Sequence, residues 1–262
     1  RSDLEKLNKC AEDILLIDNP DNLSVLDQAK SAIKSMQLLS QGEYKKAYEL
    51  AKTTIALEEA SGRVGVALPF DCRFVLIRCL YEFSMIEDAL AEMVRLGNEA
   101  DENKMIFIKY LCQVGEIRIL SRIPNSQDRI SANVARLRNE LLFDPDLRAM
   151  TWLVDLGELL AKNHSSDIGR ISAIVNRNPD IPYLQQLGKS VLEKSKISDA
   201  KEAKKIAANT PREIIRNNLL LSKDKDERVD KQREYLRIAL AKGEEVGAQE
   251  IFLRQDNLTL EA

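Results

Sequence analysis

The chain has 262 residues, of which 44% are apolar and 31% charged, with 10 Gly and 7 Pro. The apolar share excludes a disordered protein, and the low Gly and Pro content excludes collagen-like and low-complexity classes. The 39 basic and 42 acidic residues give a net charge of −3, so the whole chain has no bias toward nucleic acid. Because no run of about 18 apolar residues occurs, the sequence predicts no transmembrane helix.

The beginning of the sequence indicates a fragment, and the cysteines indicate a cytoplasmic protein. Residues 1–5 are largely charged and include neither an initiator Met nor an apolar signal region, so we expect a fragment of a longer protein or, as the alternative, a processed product. The four cysteines are Cys10, Cys72, Cys79 and Cys112. None of them has Cys-x-x-Cys spacing, and a chain of this length buries a core without disulfides. We therefore expect reduced core thiols.

Apolar residues recur at helical period along almost the whole chain. The segments 26–39 and 43–60 both place apolar side chains at i, i+3, i+4 and i+7, as an amphipathic helix requires. Alternating strand patterns are absent. The prolines at 69, 145 and 211 stand where the first turn of a helix accepts them, and Asp101 and Asp144 are among the predicted N-caps. The sequence predicts about a dozen antiparallel helices, arranged as a closed bundle or as an open solenoid.

Two segments repeat one pattern at an offset of 31 residues. The first reads LxxLGxxL over 153–160 and is followed by Gly169; the second reads LxxLGxxV over 184–191 and is followed by Ala200. This pattern resembles the tetratricopeptide repeat (TPR). The resemblance implies an all-α superhelical array of antiparallel helix hairpins. In each hairpin a Gly in the first helix (157 or 188) and a small residue in the second let the two backbones approach.

The resemblance extends more loosely toward the N-terminus. Residues 41–47 contain the turn glycine, the aromatic residue and the small residue of a repeat, and residues 76–89 keep its apolar positions. We expect an N-terminal helix or cap over 1–23, a TPR-like helical repeat domain over 24–242, and a short C-terminal helix or tail over 243–262. The alternative is an irregular all-helical domain in which the Leu-Gly pairs arise by chance.

The sequence offers no convincing catalytic or metal-binding group. His164 is the sole histidine and falls in a predicted turn, without a Cys or second His spaced for a metal. Residues 62–65 (GRVG) are too short for a phosphate-binding loop, and no P-loop motif occurs. We therefore expect a protein that is not an enzyme and that binds no metal and no cofactor.

Basic charge is concentrated in the C-terminal third of the chain. Residues 189–242 hold 15 basic and 9 acidic side chains. Lys201, Lys204 and Lys205 alternate with Glu202 on the predicted outer face of a helix, and no aromatic residue interleaves them for base stacking. A solvated helix face explains this charge more simply than contact with nucleic acid does.

An array of helix hairpins presents a long concave surface that suits an extended peptide or a partner helix. By analogy with such arrays, we expect Arg73, Tyr81, Lys109 and Tyr110 to line this concave surface. Trp152 lies one residue before the usual aromatic position of the repeat, so it either packs in the core or faces the same groove.

A second resemblance concerns the end of the chain. Residues 235–241 (YLRIALA) and 244–253 (EEVGAQEIFL) resemble the end of the helical-repeat domain in MalT-like regulators of the LuxR family. That resemblance implies a sensory domain between an ATPase module and a helix-turn-helix, which binds an inducer or a partner protein and promotes self-association.

These features lead to two alternative functions. The first is a non-catalytic TPR-like binding module that recruits a protein partner or peptide through its concave surface. The second is a ligand-sensing repeat domain of a bacterial transcription regulator, which couples binding of a small effector to self-association and transcription control.

Overall fold

The computed structural model describes residues 23–61, 68–161, 168–181, 184–185, 211–224, 226–249 and 251–252. Over these ranges the regular elements are all helical, which confirms the all-α prediction for the described residues. The α-helices are α1 Leu23–Gln41, α2 Tyr44–Ser61, α3 Leu68–Glu82, α4 Ile86–Glu102, α5 Ile106–Leu120, α6 Gln127–Phe143, α7 Trp152–Ala161, α8 Ile168–Arg177, α9 Pro211–Leu221 and α10 Val229–Val246. A 3₁₀ helix, Pro145–Met150, precedes α7. None of the described helices combines the length and the apolar character needed to cross a bilayer.

Several helices end in a residue with left-handed backbone conformation. Gly42 follows α1 with φ of 81°, and the next amide, that of Glu43, donates to the Leu38 carbonyl at 2.9 Å. Ser84 after α3 (φ 63°) and Lys104 after α4 (φ 57°) are followed by the same type of bond. This Schellman-type ending satisfies the last carbonyls of the helix and reverses the chain within a few residues. The helix pairs α1–α2 and α4–α5 therefore form tight hairpins.

The chain divides into two compact units, of which unit 1 comprises residues 1–85 and 200–262. In this unit α1, α2 and α3 pack on one another, and α9 packs along α10. Both groups of helices share one core, which includes Ala47, Ala51, Cys72, Val75, Ile215, Leu219, Ala239 and Val246. An open solenoid packs each hairpin only on its neighbours in sequence, whereas this core joins segments from both ends of the chain.

Two glycines allow the N-terminal and C-terminal segments of unit 1 to approach closely. A Cβ at Gly42 would lie 3.4 Å from the Pro211 ring at the start of α9. Gly247 ends α10 with φ of 79°, and a Cβ there would lie 2.6 Å from Cε1 of Phe83. Positive φ favours glycine at both positions, and at Gly247 the close approach of Phe83 favours it as well, whereas the 3.4 Å distance at Gly42 is ordinary contact.

Unit 2 comprises residues 86–199. In it α5 packs against α4, α6 and α7. The core of the unit includes Tyr110, Val114, Ile117, Leu120, Ile130, Leu137, Leu141, Leu153, Leu156 and Leu184. Between α6 and α7, Arg138 and the largely buried Glu158 form an ion pair.

Gly157 is buried at a close helix contact, as the repeat pattern predicts, but its neighbours differ from those expected. A Cβ at Gly157 would lie 3.1 Å from Cδ1 of Ile117 on α5 and 3.2 Å from Cδ2 of Leu137 on α6. Gly169, the expected small residue of the second helix, is exposed on α8. The close approach therefore involves the preceding helices, and the expected role of Gly169 is wrong. Gly188 and Ala200 lie outside the described residues.

The predicted helix boundaries are reproduced at three prolines, of which Pro69 lies in the first turn of α3, and differ at other positions. Pro211 begins α9, and Pro145 begins the 3₁₀ helix, where the Asp144 carboxylate accepts a hydrogen bond from the Asp146 amide at 2.9 Å. Asp101 is not an N-cap, because it lies in the last turn of α4. Helix α10 continues to Val246, beyond residue 242 where the repeat domain is expected to end.

Candidate partner-binding surface

The five residues expected to line a groove belong to different units. Arg73 and Tyr81 lie on α3 of unit 1, whereas Lys109, Tyr110 and Trp152 lie in unit 2. Tyr81 and Tyr110 are only 2% and 5% exposed, so their rings contribute to the interior. Trp152 is half-buried against the core of unit 2, and Arg73 lies 3.5 Å from the carboxylate of Glu59. Of the five, Lys109 and Tyr110 alone are adjacent.

Lys109 joins three helices of unit 2 at one end. Its Nζ lies 2.9 Å from Oδ1 of Asp101 at the end of α4 and 3.7 Å from Oε2 of Glu140 near the end of α6. It also lies 5.6 Å from the centroid of the Tyr110 ring. The hydrogen bond to Asp101 raises the pKa of Lys109, so this amine stays charged. Burial, reinforced by the charge of Glu140, raises the pKa of Tyr110, so the phenol stays neutral.

The register of α5 and α6 follows from two contacts. The first is the Lys109–Glu140 ion pair, and the second is the hydrogen bond from Asn133 Nδ2 to Glu116 Oε2 at 3.4 Å. Between these contacts the chain advances seven residues along α5, from Lys109 to Glu116, and goes back seven residues along α6, from Glu140 to Asn133. The two helices are therefore antiparallel. The first residues of α5 are therefore level with the last residues of α6.

Four large apolar side chains are exposed at this end of the α5–α6 hairpin. They are Ile106, Phe107, Leu142 and Phe143, and their exposed fractions range from 47% to 82%, with Phe143 the highest. We call these four residues the hairpin-end surface. Single exposed apolar residues are ordinary, whereas several at one place mark a surface that binds another molecule.

Acidic residues outnumber basic ones in the two segments that form this end of the hairpin. The segments 101–109 and 140–146 contain five acidic and two basic residues. Asp101 and Glu140 both contact Lys109. The remaining charged residues of the two segments are three acidic ones and one basic one, namely Glu102, Asp144, Asp146 and Lys104. Exposed apolar side chains among acidic residues are complementary to an apolar segment that carries Lys or Arg.

The structure places Lys109 and Tyr110, two of the predicted lining residues, at this end of the hairpin, whereas the sequence analysis did not predict the four residues of the hairpin-end surface. One signal was available, because Leu141, Leu142 and Phe143 are consecutive. Successive helical residues are rotated by about 100°, so one apolar face cannot bury all three. In the structure Leu141 is buried, whereas the two following residues are exposed.

Other sequence predictions fall where the structure gives no geometry. His164 and the loop 62–65 lie outside the described residues. Among the side chains that are described, no group of three His, Cys, Asp or Glu residues is placed to hold a metal ion. Comparison with family models, with curated proteins and with solved structures found no match.

Proposed function

We propose that this chain is a non-catalytic protein-binding module that recruits its partner through the hairpin-end surface of unit 2. The observation that carries the proposal is the exposure of four large apolar side chains at one end of α5 and α6, in segments where acidic residues outnumber basic ones. Apolar anchors within a polar rim are the usual composition of a protein interface. Because the rings of Tyr81 and Tyr110 are buried, the proposed contact uses the hairpin-end surface and not these two rings.

The partner proposed here is a peptide segment or helix with one or two large apolar side chains flanked by Lys or Arg. Phe143 supplies the main anchor, because its ring is the most exposed large apolar side chain among the described residues. Aromatic anchors contribute most of the binding free energy when a partner excludes water from them. The acidic rim selects the sign of the partner's charge and accelerates association at low salt.

We further propose that the hairpins of each unit pack in a TPR-like manner and that the protein works in the cytoplasm. Support for the packing comes from the glycine turn before α2, the fully buried Ala47 behind it, and the close contact at Gly157. Support for a reducing compartment comes from Cys72, Cys79 and Cys112, which are free thiols in the structure.

Fluorescence anisotropy with two labelled helical peptides tests the proposed function. Both peptides carry the same Leu and Phe positions, and one is flanked by Arg whereas the other is flanked by Glu. We expect the basic peptide to bind preferentially and its affinity to fall as salt rises. The double substitution Phe107→Ser/Phe143→Ser should weaken binding by about tenfold or more, as loss of an aromatic anchor does.

The control is Leu57→Ser, which removes another exposed apolar side chain, on α2 of unit 1. It should leave peptide binding unchanged. Absence of binding, no preference between the peptides, or equal loss with Leu57→Ser would contradict the proposal. A rise in melting temperature with a small metabolite, but with neither peptide, would favour the ligand-sensing alternative instead.

A further inference from the structure

The chain folds back onto unit 1 directly after α10. Gly247 ends this helix in a left-handed conformation, and the residues that follow return to the core of the unit. Ala248 and Ile251 are only 1% and 5% exposed, and Phe252 is half-buried against the same core. We call Ala248, Gln249, Ile251 and Phe252 the C-terminal strap. The strap therefore covers part of the core of unit 1.

Gly243 on α10 provides the space that the aromatic ring of the C-terminal strap occupies. A Cβ at this position would lie 2.7 Å from Cζ of Phe252, which is too close for two carbon atoms. The ring therefore lies directly against the backbone of α10. Gly243 is buried inside the helix, where glycine is intrinsically less favourable than alanine. The contact with Phe252 gives a physical reason for a glycine at this position.

Apolar contacts hold the C-terminal strap to the rest of unit 1. The Ala248 amide donates to the Gly243 carbonyl at 2.9 Å. Two further bonds are local, from the Gln249 amide to Gly247 at 3.1 Å and from the Phe252 amide to Gln249 at 3.0 Å. Among the described residues, no backbone hydrogen bond joins the strap to α1, α2, α3 or α9. A short segment held in this way opens at a smaller free energy than the whole unit does.

We propose that the C-terminal strap is releasable and that the surface beneath it is a second protein-binding site, which takes a partner segment with a branched aliphatic residue directly followed by Phe. The strap indicates this chemistry, because Ile251 and Phe252 already occupy the surface. The aliphatic side chain enters the apolar core, and the ring lies in the space at Gly243. This site belongs to unit 1 and does not depend on the hairpin-end surface of unit 2.

The C-terminal strap blocks this site in the free protein. A segment on the same chain competes at an effective concentration on the order of millimolar, so a partner must displace it. The affinity for the partner is therefore reduced by the fraction of molecules in which the strap is open. Any change that releases the strap, with Gly247 as the hinge, increases binding at this site.

Fluorescence anisotropy with a labelled peptide of residues 247–254 (GAQEIFLR) tests the site. In the full chain, Ile251→Ser/Phe252→Ser gives a strap that no longer fits, so this variant should bind the peptide about tenfold or more tightly than the wild type does. Adding Gly243→Ala fills the space for the ring and should abolish the gain. The matched control, Glu234→Ala at an exposed position of the same helix, should keep it. A peptide with Ser at both anchor positions should not bind.

Equal affinity of the wild type and the strap variant, or a gain that survives Gly243→Ala, would overturn the inference. Amide hydrogen exchange of the wild type gives a second measurement that needs no substitution. The Ala248 amide should exchange through a local opening whose free energy changes little in dilute urea, whereas the buried amides in the middle of α10 should not. Exchange of Ala248 only with global unfolding, or loss of cooperative unfolding in the strap variant, would show that the strap is a permanent part of the core and would overturn its release.

Discussion

Lys45 Nζ donates a hydrogen bond to the carbonyl oxygen of Glu244 at 2.5 Å, although the two residues are 199 positions apart in the sequence. Lys45 lies in the first turn of α2, and Glu244 lies in the last turn of α10, just before the left-handed Gly247. A positive charge at this position satisfies a terminal carbonyl and complements the negative end of the helix dipole. The contact links the N-terminal and C-terminal segments within unit 1.

Lys45→Met tests the contribution of this contact, since Met retains much of the aliphatic stem and removes the charge. We expect the free energy of unfolding to fall by about 0.5–1 kcal/mol, as for other charges at helix ends. Urea unfolding followed by circular dichroism measures it. The control is Lys46→Met, which removes an exposed i,i+3 ion pair with Glu43 and should change stability by about 0.3 kcal/mol or less. Equal losses in the two variants would contradict a specific role for Lys45.

The left-handed residues at the helix ends predict that two substitutions change the stability of the protein in opposite directions. Gly42→Ala places a side chain at φ of 81° and should destabilise the protein by about 1–2 kcal/mol. Lys104→Gly relieves the same conformation at an exposed residue and should stabilise it by about 0.5–1 kcal/mol. Thermal unfolding should show the two melting temperatures moving in opposite directions. A shift of the same sign in both variants would refute the assigned backbone conformations.

Gly157 and Gly169 provide a test of the packing in unit 2. Gly157→Leu should cost about 1–3 kcal/mol or more, because a Cβ there already lies 3.1 Å from Ile117. Gly169→Leu, at an exposed helical position, should be neutral or stabilising by up to about 1 kcal/mol. Urea denaturation gives the free energy of unfolding of both variants. Equal stability of the two leucine variants would show that the close contact at Gly157 does not exist.

These two glycines also show what a sequence pattern can predict. The repeat motif identified Gly157 as a buried glycine, because apolar period and small size are local properties of the sequence. It failed at Gly169, because the motif does not specify which helices meet, and the side chains near Gly157 belong to α5 and α6. Pro145 and Pro211 were placed correctly for the same local reason.

The hairpin-end surface could not be predicted in the same way. It depends on the register between α5 and α6, which brings Ile106 level with Phe143 across the hairpin. That register is set by pairs such as Lys109–Glu140, and no local pattern encodes it. The core shared by the N-terminal and C-terminal segments of unit 1 is likewise a long-range feature.

The buried thiols predict both reactivity and pH dependence. Burial raises the pKa of Cys79 and of Cys112 from 9.0 to about 12. Because the thiolate is the reactive form, a Cys10→Ser variant should show no reaction with a chromogenic disulfide reagent at about pH 8 until urea exposes Cys72, Cys79 and Cys112. Rapid reaction of the native variant would contradict the burial of these residues.

The raised pKa values of Cys79 and Cys112 determine whether the stability of the protein rises or falls with pH. Between about pH 9 and 12 the folded state retains protons that the unfolded chain loses, so stability falls as pH rises, by about 1.4 kcal/mol per pH unit for each thiol. Cys79→Ala/Cys112→Ala should make this slope shallower and leave the part that comes from Lys109 and Tyr110, whose pKa values are also raised. Urea midpoints measured across this pH range give the result, and a slope unchanged in the double variant would assign it to other groups.

Amide hydrogen exchange of the full chain, with and without the basic apolar peptide, tests the binding surface most directly. The first amides of α5 lack partners within the helix and exchange readily when they are exposed. Bound peptide should slow exchange in residues 101–109 and 140–146 and leave exchange in α2 unchanged. Protection confined to other segments while the peptide is bound would contradict the assignment of the hairpin end as the site of partner binding.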